Sequence, residues 1–166
     1  MTKFDELNKI YTTAEKDFKD YRWTSIEFAV KLGKGLADYL GCDYEEIQYY
    51  QPPDNEGKSI EAHPRDALLI DTDTSWHYGM GLNLYVENNK DNPAMTYIFD
   101  LALKKDNENF GIRLMKEKKE FNLNPDNPED LNSFYDFIYN TIKNRFEEEL
   151  TKFLSNKSYE HFPEYG

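Results

Sequence analysis

From Trp76 to Glu87 the chain reads Trp-His-Tyr-Gly-Met-Gly-Leu-Asn-Leu-Tyr-Val-Glu, an alternation regular enough to demand an extended strand. Side chains on a strand point to opposite faces in turn, so Trp76, Tyr78, Met80, Leu82, Leu84 and Val86 share one face. That face must be buried against something apolar. The other carries His77, Gly79, Gly81, Asn83, Tyr85 and Glu87: polar at its ends and bare at its middle.

The flanking segments repeat the pattern. Met95, Tyr97, Phe99, Leu101 and Leu103 predict a second strand, Phe110, Ile112 and Leu114 opposite Gly111, Arg113 and Met115 a third, and Phe121 with Leu123 a fourth. Turn-rich connections from Asn88 to Pro93 and across Asp106-Asn107-Glu108-Asn109 are short, which makes the neighbours antiparallel. Upstream, Ile47 and Tyr49 alternate with Gln48 and Tyr50 between Glu46 and Gln51, and Ala67 to Asp71 offers one more strand. A long polar loop containing His63 separates these two, and Asp71-Thr72-Asp73-Thr74-Ser75 reads as the turn into the central strand.

Helices bracket the strands. At the C-terminal end Asn127 is the N-cap, Pro128 the first helical residue, and Glu129 and Asp130 sit where the helix dipole favours anions. Leu131, Phe134, Ile138, Ile142, Phe146, Leu150, Phe153 and Leu154 continue as one stripe. That helix and a strand over 76–87 are each ~40 Å long, so one can lie along the other. At the N-terminal end a helix over 2–21 and a second from Thr24 or Ser25 to about Leu40, stopped by Gly41, are expected. Phe4, Leu7, Tyr11, Ala14, Phe18 and Tyr21 recur in steps of three and four for less than three heptads, which predicts packing on the chain's own core, with a dimer seam as the alternative. Gly33 and Gly35 weaken the second helix unless something approaches closely there: either they pack on the Gly79–Gly81 strip, or that strip stays open as a recognition face. Gly33-Lys34-Gly35 lacks the strand that precedes a phosphate loop.

The expected fold class is α+β: an antiparallel β-meander of about five to six strands covered on one face by a long C-terminal helix and an N-terminal helix pair. One domain spans 1–166, with N-terminal helices over about 2–41, the meander over about 46–123, the long helix over about 128–155 and an aromatic tail over 156–166. Tyr159, Phe162 and Tyr165 of that tail are expected to fold back on the core or to serve as a docking segment.

Charge narrows the function. A formal charge of −12 and a pI of 4.7 argue against direct binding to a phosphate backbone and favour a basic partner. Only the stretch from Lys104 to Leu123 is basic, with six basic against four acidic side chains. The lone Cys42 cannot form an internal disulfide, no apolar run approaches the ~20 residues that span a bilayer, and Met1 to Glu6 does not resemble a secretory leader, so the cytoplasm is the expected compartment.

Three functional readings follow. The first is a non-catalytic, acidic protein-binding module of inhibitor or immunity type, aimed at a basic, nucleic-acid-handling protein whose phosphate-binding surface it occupies. Its sites are the sheet face (His77, Gly79, Gly81, Asn83, Tyr85, Asp100, Arg113) and the acidic surface (Asp43, Glu45, Glu46, Glu147, Glu148, Glu149). The second is a small-molecule or nucleotide sequestering protein with a pocket between sheet and helices around Trp76, Tyr78, His77 and His63. The third is a metal-assisted hydrolase at Asp71, Asp73 and His77, since an aspartate can orient an imidazole that titrates near neutrality. The same residues suit an ordinary polar turn, so no cofactor and no resident metal are expected. A homodimer is compatible with the N-terminal stripe.

Overall fold

The computed structural model describes residues 1–87 and 89–155, so the expectation for the aromatic tail lies outside the described residues. Its elements are α1 (Lys3–Leu40), one 3-10 turn (Tyr44–Glu46), β1 (Ile47–Tyr50), α2 (Pro64–Ala67), β2 (Leu69–Ile70), β3 (Trp76–Leu84), β4 (Met95–Asp106), β5 (Asn109–Leu114), β6 (Lys119–Leu123) and α3 (Pro128–Leu154). All strand pairs are antiparallel in the order β1-β3-β4-β5-β6. Two short strands share the free edge of β3: β1 pairs with Leu82 to Gly79, and β2 with His77 and Trp76. The architecture is the α+β one expected, a meander with long helices at either end of the chain.

The alternation of β3 fixes which face is inside. Trp76, Tyr78, Met80 and Leu82 are buried, as are Phe99, Leu101 and Leu103 of β4 and Phe110, Ile112 and Leu114 of β5. Val86 lies beyond the strand and is exposed. Against this face lie the C-terminal half of α1, through Ile26, Phe28, Ala29, Leu32 and Leu36, and α3, through Phe134, Ile138 and Ile142. The Phe28 ring stacks on Phe110 with centroids 4.2 Å apart, and Phe121 meets Phe134 edge to face.

The N-terminal helix pair is in fact one helix of 38 residues. Thr24 donates its hydroxyl to the carbonyls of Asp20 at 2.9 Å and Tyr21 at 3.2 Å, satisfying itself inside a helix instead of capping a new one. A capping box closes the start: Asp5 N–H donates to Thr2 Oγ1 at 3.1 Å and Thr2 N–H to Asp5 Oδ2 at 3.0 Å. Gly41 ends it with φ of 75°, in the left-handed conformation that glycine adopts without strain.

Length then decides exposure. Nine residues of β3 span ~30 Å and the twelve of β4 ~40 Å, whereas α1 runs ~57 Å, so α1 overhangs the sheet, while α3, at ~40 Å, overhangs β3 alone. Every residue from Met1 to Asp20 is exposed, and Leu150, Phe153 and Leu154 are exposed at the far end of α3. The stripe Phe4, Leu7, Tyr11 and Ala14 therefore does not pack on the chain's own core, contrary to the expectation from its spacing. Only its last members reach inward: Phe18 and Tyr21 have ring centroids 5.9 Å and 5.6 Å from Trp76.

The glycines of α1 meet tyrosines, not the glycine strip of β3. A Cβ on Gly33 would overlap the Tyr49 hydroxyl, and one on Gly35 the Tyr135 hydroxyl. Tyr49 donates to Ala29 O at 3.1 Å and accepts from Tyr44 at 3.1 Å. Bulky phenols from β1 and α3 thus take the space that a shorter side chain on α1 would need.

Candidate functional site

With the helices on one side, the other face of the sheet has no second layer over it among the described residues. Gly79 lies between Tyr50 of β1 and Asp100 of β4, and Gly81 between Gln48 and Ile98. Side chains of the neighbouring strands lean over both: a Cβ on Gly79 would come within 3.1 Å of Ile98 Cγ2 and Tyr50 Cβ, and one on Gly81 within 2.8 Å of Thr96 Cγ2 and Tyr50 Cε2. The expected bare strip is therefore a bed on which Tyr50, Ile98 and Thr96 lie flat, half-buried and facing outward. Those three residues escaped sequence reasoning. Their signal was present, because they occupy the alternate positions of β1 and β4 that the apolar reading of those strands left aside.

Polar groups frame the bed. Thr96 donates its hydroxyl to Asn83 Oδ1 at 2.8 Å, so the nearly buried Asn83 is a structural partner of β4. Tyr85 donates to Glu46 Oε1 at 2.7 Å, and Tyr50 to Gln48 Oε1 at 2.8 Å. Lys116 Nζ lies 3.4 Å from Asp100 Oδ2. Asp43 and Glu45 are exposed beside the half-buried Glu46. Of the second acidic group Glu147 and Glu148 are exposed, but Glu149 is 1 % exposed and Arg145 Nε lies 3.6 Å from its Oε1, which removes it from the expected acidic surface.

The edge of β4 is open as well among the described residues. Pairing with β5 begins at Leu101, and Met115 N–H donates to Asp100 O at 2.9 Å, so even-numbered residues of β4 turn their backbone groups toward that side. Ile98 and Thr96 follow in the same phase with no strand beside them among the described residues. A groove of about 530 Å³ runs there, with Thr96, Ile98 and Glu117 on one side and Asn144, Arg145 and Glu148 of α3 on the other. Glu117 turns one oxygen, buried and without a hydrogen-bond partner among the described residues, toward the protein, and burial raises its carboxyl above the ordinary range.

At the opposite end of the same face, Asp73 ties three elements together. His77 Nε2 lies 3.0 Å and 2.9 Å from its two oxygens, and Arg113 Nη2 donates to Oδ2 at 2.6 Å. A carboxylate only accepts, so Nε2 carries the hydrogen. Ser75 N–H adds a bond at 3.0 Å. Partial burial on its own would raise the Asp73 carboxyl, but the bonds from Ser75, His77 and Arg113 outweigh it and hold it down at about 2. Thr74, at φ of 63°, is a β-branched residue in the left-handed region, kept there by the Thr74 N–H to Asp71 O bond at 2.9 Å and by Tyr21, whose hydroxyl donates to Thr74 O at 2.8 Å.

The triad expected to hold a metal divides. Asp71 accepts from Thr72 N–H at 2.7 Å as a turn residue, while Asp73 is occupied by His77 and Arg113. No three His, Cys, Asp or Glu side chains converge as a metal site among the described residues. The residues named for a pocket lie apart. Trp76 and Tyr78 are closed into the core, and His63 caps α2 by accepting from Arg65 N–H at 3.2 Å. The chain matches no protein-family model, no curated protein and no solved structure. No helix among the described residues is long and apolar enough to cross a membrane.

Proposed function

We propose that this is a non-catalytic binding module that takes a basic protein partner on the open face of its sheet. The observation that carries the reading is the bed of Tyr50, Ile98 and Thr96 over Gly79 and Gly81, uncovered among the described residues, running without a break into an edge of β4 that no other described strand pairs. Aromatic and aliphatic groups held flat on a sheet offer contact area at little cost in rotamer entropy. An unpaired strand edge offers backbone donors and acceptors to an extended segment of the partner. Exposed Asp43, Glu45, Glu147 and Glu148, with a chain charge of −12, supply the long-range attraction for a positively charged partner. An inhibitor or immunity role against a nucleic-acid-handling protein fits this charge, and the lone thiol of Cys42 fits a reducing compartment such as the cytoplasm.

Affinity capture from the native cell, run with the natural chain and with an Ile98→Asp, Tyr50→Ala double variant, tests the reading. The expected result is a basic protein held by the first, lost with the second and released as salt rises. A partner held equally by both forms, or indifferent to salt, excludes this face and this charge.

A further inference from the structure

We infer that the overhanging N-terminal arm of α1 pairs with the same arm of a second copy, in antiparallel orientation. Over residues 3–17 the arm carries an unbroken heptad pattern, with Phe4 and Tyr11 at one core position and Leu7 and Ala14 at the other. Phe4, Leu7, Ile10 and Tyr11 are 63–71 % exposed. The capping box at Thr2 and Asp5 keeps the helix intact to its tip, so the stripe is presented on a formed surface.

Orientation follows from what each alignment places together. With the two-fold axis beside residue 9, Phe4 of one copy meets Ala14 of the other and Leu7 meets Tyr11, so each large ring faces a smaller group. Ile10 then lies against Ile10 of the second copy, and Lys3 faces Asp17 at both ends. Neither Lys3 nor Asp17 has a side-chain partner among the described residues, so each is available to the opposite charge. A parallel pair sets Phe4 on Phe4 and Ala14 on Ala14, puts Ile10 beside Glu15, and needs Arg22 for Asp17. Arg22 is already engaged, donating to Arg65 O at 2.8 Å. A parallel seam would also continue into Phe18 and Tyr21, which pack on Trp76 of their own chain. The antiparallel pair uses only exposed residues.

The area sets the strength. At ~150–250 Å² for each aromatic side chain, the two rings of each arm remove roughly 600–1,000 Å² from water over both copies, and Leu7 and Ile10 carry the total to about the 1,000 Å² that a specific interface needs. An interface at this lower end of the size range is expected to be reversible and to depend on protein concentration.

Sedimentation equilibrium on the full chain, from about 1 to 500 μM, tests the association. A monomer–dimer equilibrium is expected for the natural chain, with dimerisation weakened at least ~tenfold in a Leu7→Glu, Tyr11→Glu variant whose thermal midpoint is unchanged. Lys3→Asp and Asp17→Lys each weaken it singly and restore it together. In a Cys42→Ser background, Ile10→Cys cross-links to itself under mild oxidation and Lys9→Cys does not. A chain that stays monomeric at the highest concentration overturns the inference, as does a dimer that survives in the Leu7→Glu, Tyr11→Glu variant. Failure of the charge swap to rescue, or self-cross-linking at Lys9→Cys in place of Ile10→Cys, overturns the antiparallel arrangement.

Discussion

At single positions, local rules and packing pull in opposite directions. Gly33 sits mid-helix, where alanine is favoured by ~1 kcal/mol on propensity alone. The Tyr49 hydroxyl fills the space, however, and displacing it also breaks its bond to Ala29 O. Overpacking of this kind costs about 1–3 kcal/mol, so Gly33→Ala is expected to destabilise by about 1–2 kcal/mol in urea denaturation, against the sign that propensity predicts. Asp73 gives a pH signature. Its carboxyl lies near 2 in the folded chain and near ~4 when unfolded, so the stability it contributes is fully present above ~4 and is lost as pH falls through 2. With over a third of the side chain exposed, solvent screening holds that contribution to about 1 kcal/mol. Denaturation midpoints of the natural chain and Asp73→Asn should therefore differ at neutral pH and converge near pH ~2.

Among elements, one helix serves two environments. Phe4 and Phe28 belong to the same helix, yet Phe4 is 71 % exposed and Phe28 only 3 %. Phe28→Ala is expected to cost about 3–5 kcal/mol by opening a cavity under Phe110, while Phe4→Ala stays within about 0.5 kcal/mol in the monomer. Equal losses would mean that the arm folds onto the sheet. This pair also marks what sequence could and could not convey. Strand alternation placed Trp76, Tyr78, Phe99, Leu101, Ile112 and Leu114 inside because period and burial are coupled wherever one face is wet. The caps of α3 at Asn127 and Pro128 were legible for the same kind of local reason. Helix periodicity, by contrast, states that a face is apolar without stating what lies opposite. The reach of α1 past the end of β3 depends on relative lengths, and the fusion of two expected helices into one depends on Thr24 bonding backward. On the candidate face, Asn83, Asp100 and Arg113 were found by alternation, but Tyr50 and Ile98 came into view only once register set them over the glycines.

For the molecule as a whole, charge is the lever. The chain has 32 acidic against 20 basic side chains, and among the described residues ion pairs engage Glu15, Asp73, Asp100 and Glu149. Self-repulsion therefore outweighs pairing, and the thermal midpoint is expected to rise by several degrees as sodium chloride is raised from about 10 to 300 mM. A fall would show that the paired charges dominate. One uninterrupted rod is rooted in the core through Phe28, Leu32 and Leu36 while its first four turns, up to the contact of Phe18 with Trp76, project ~22 Å past the sheet. Such a rod is a strut, not a tether. Whatever grips its tip fixes the distance and heading of the recognition face. A sideways load applied there acts as a torque whose fulcrum is Trp76, on the strand that carries both glycines of that face.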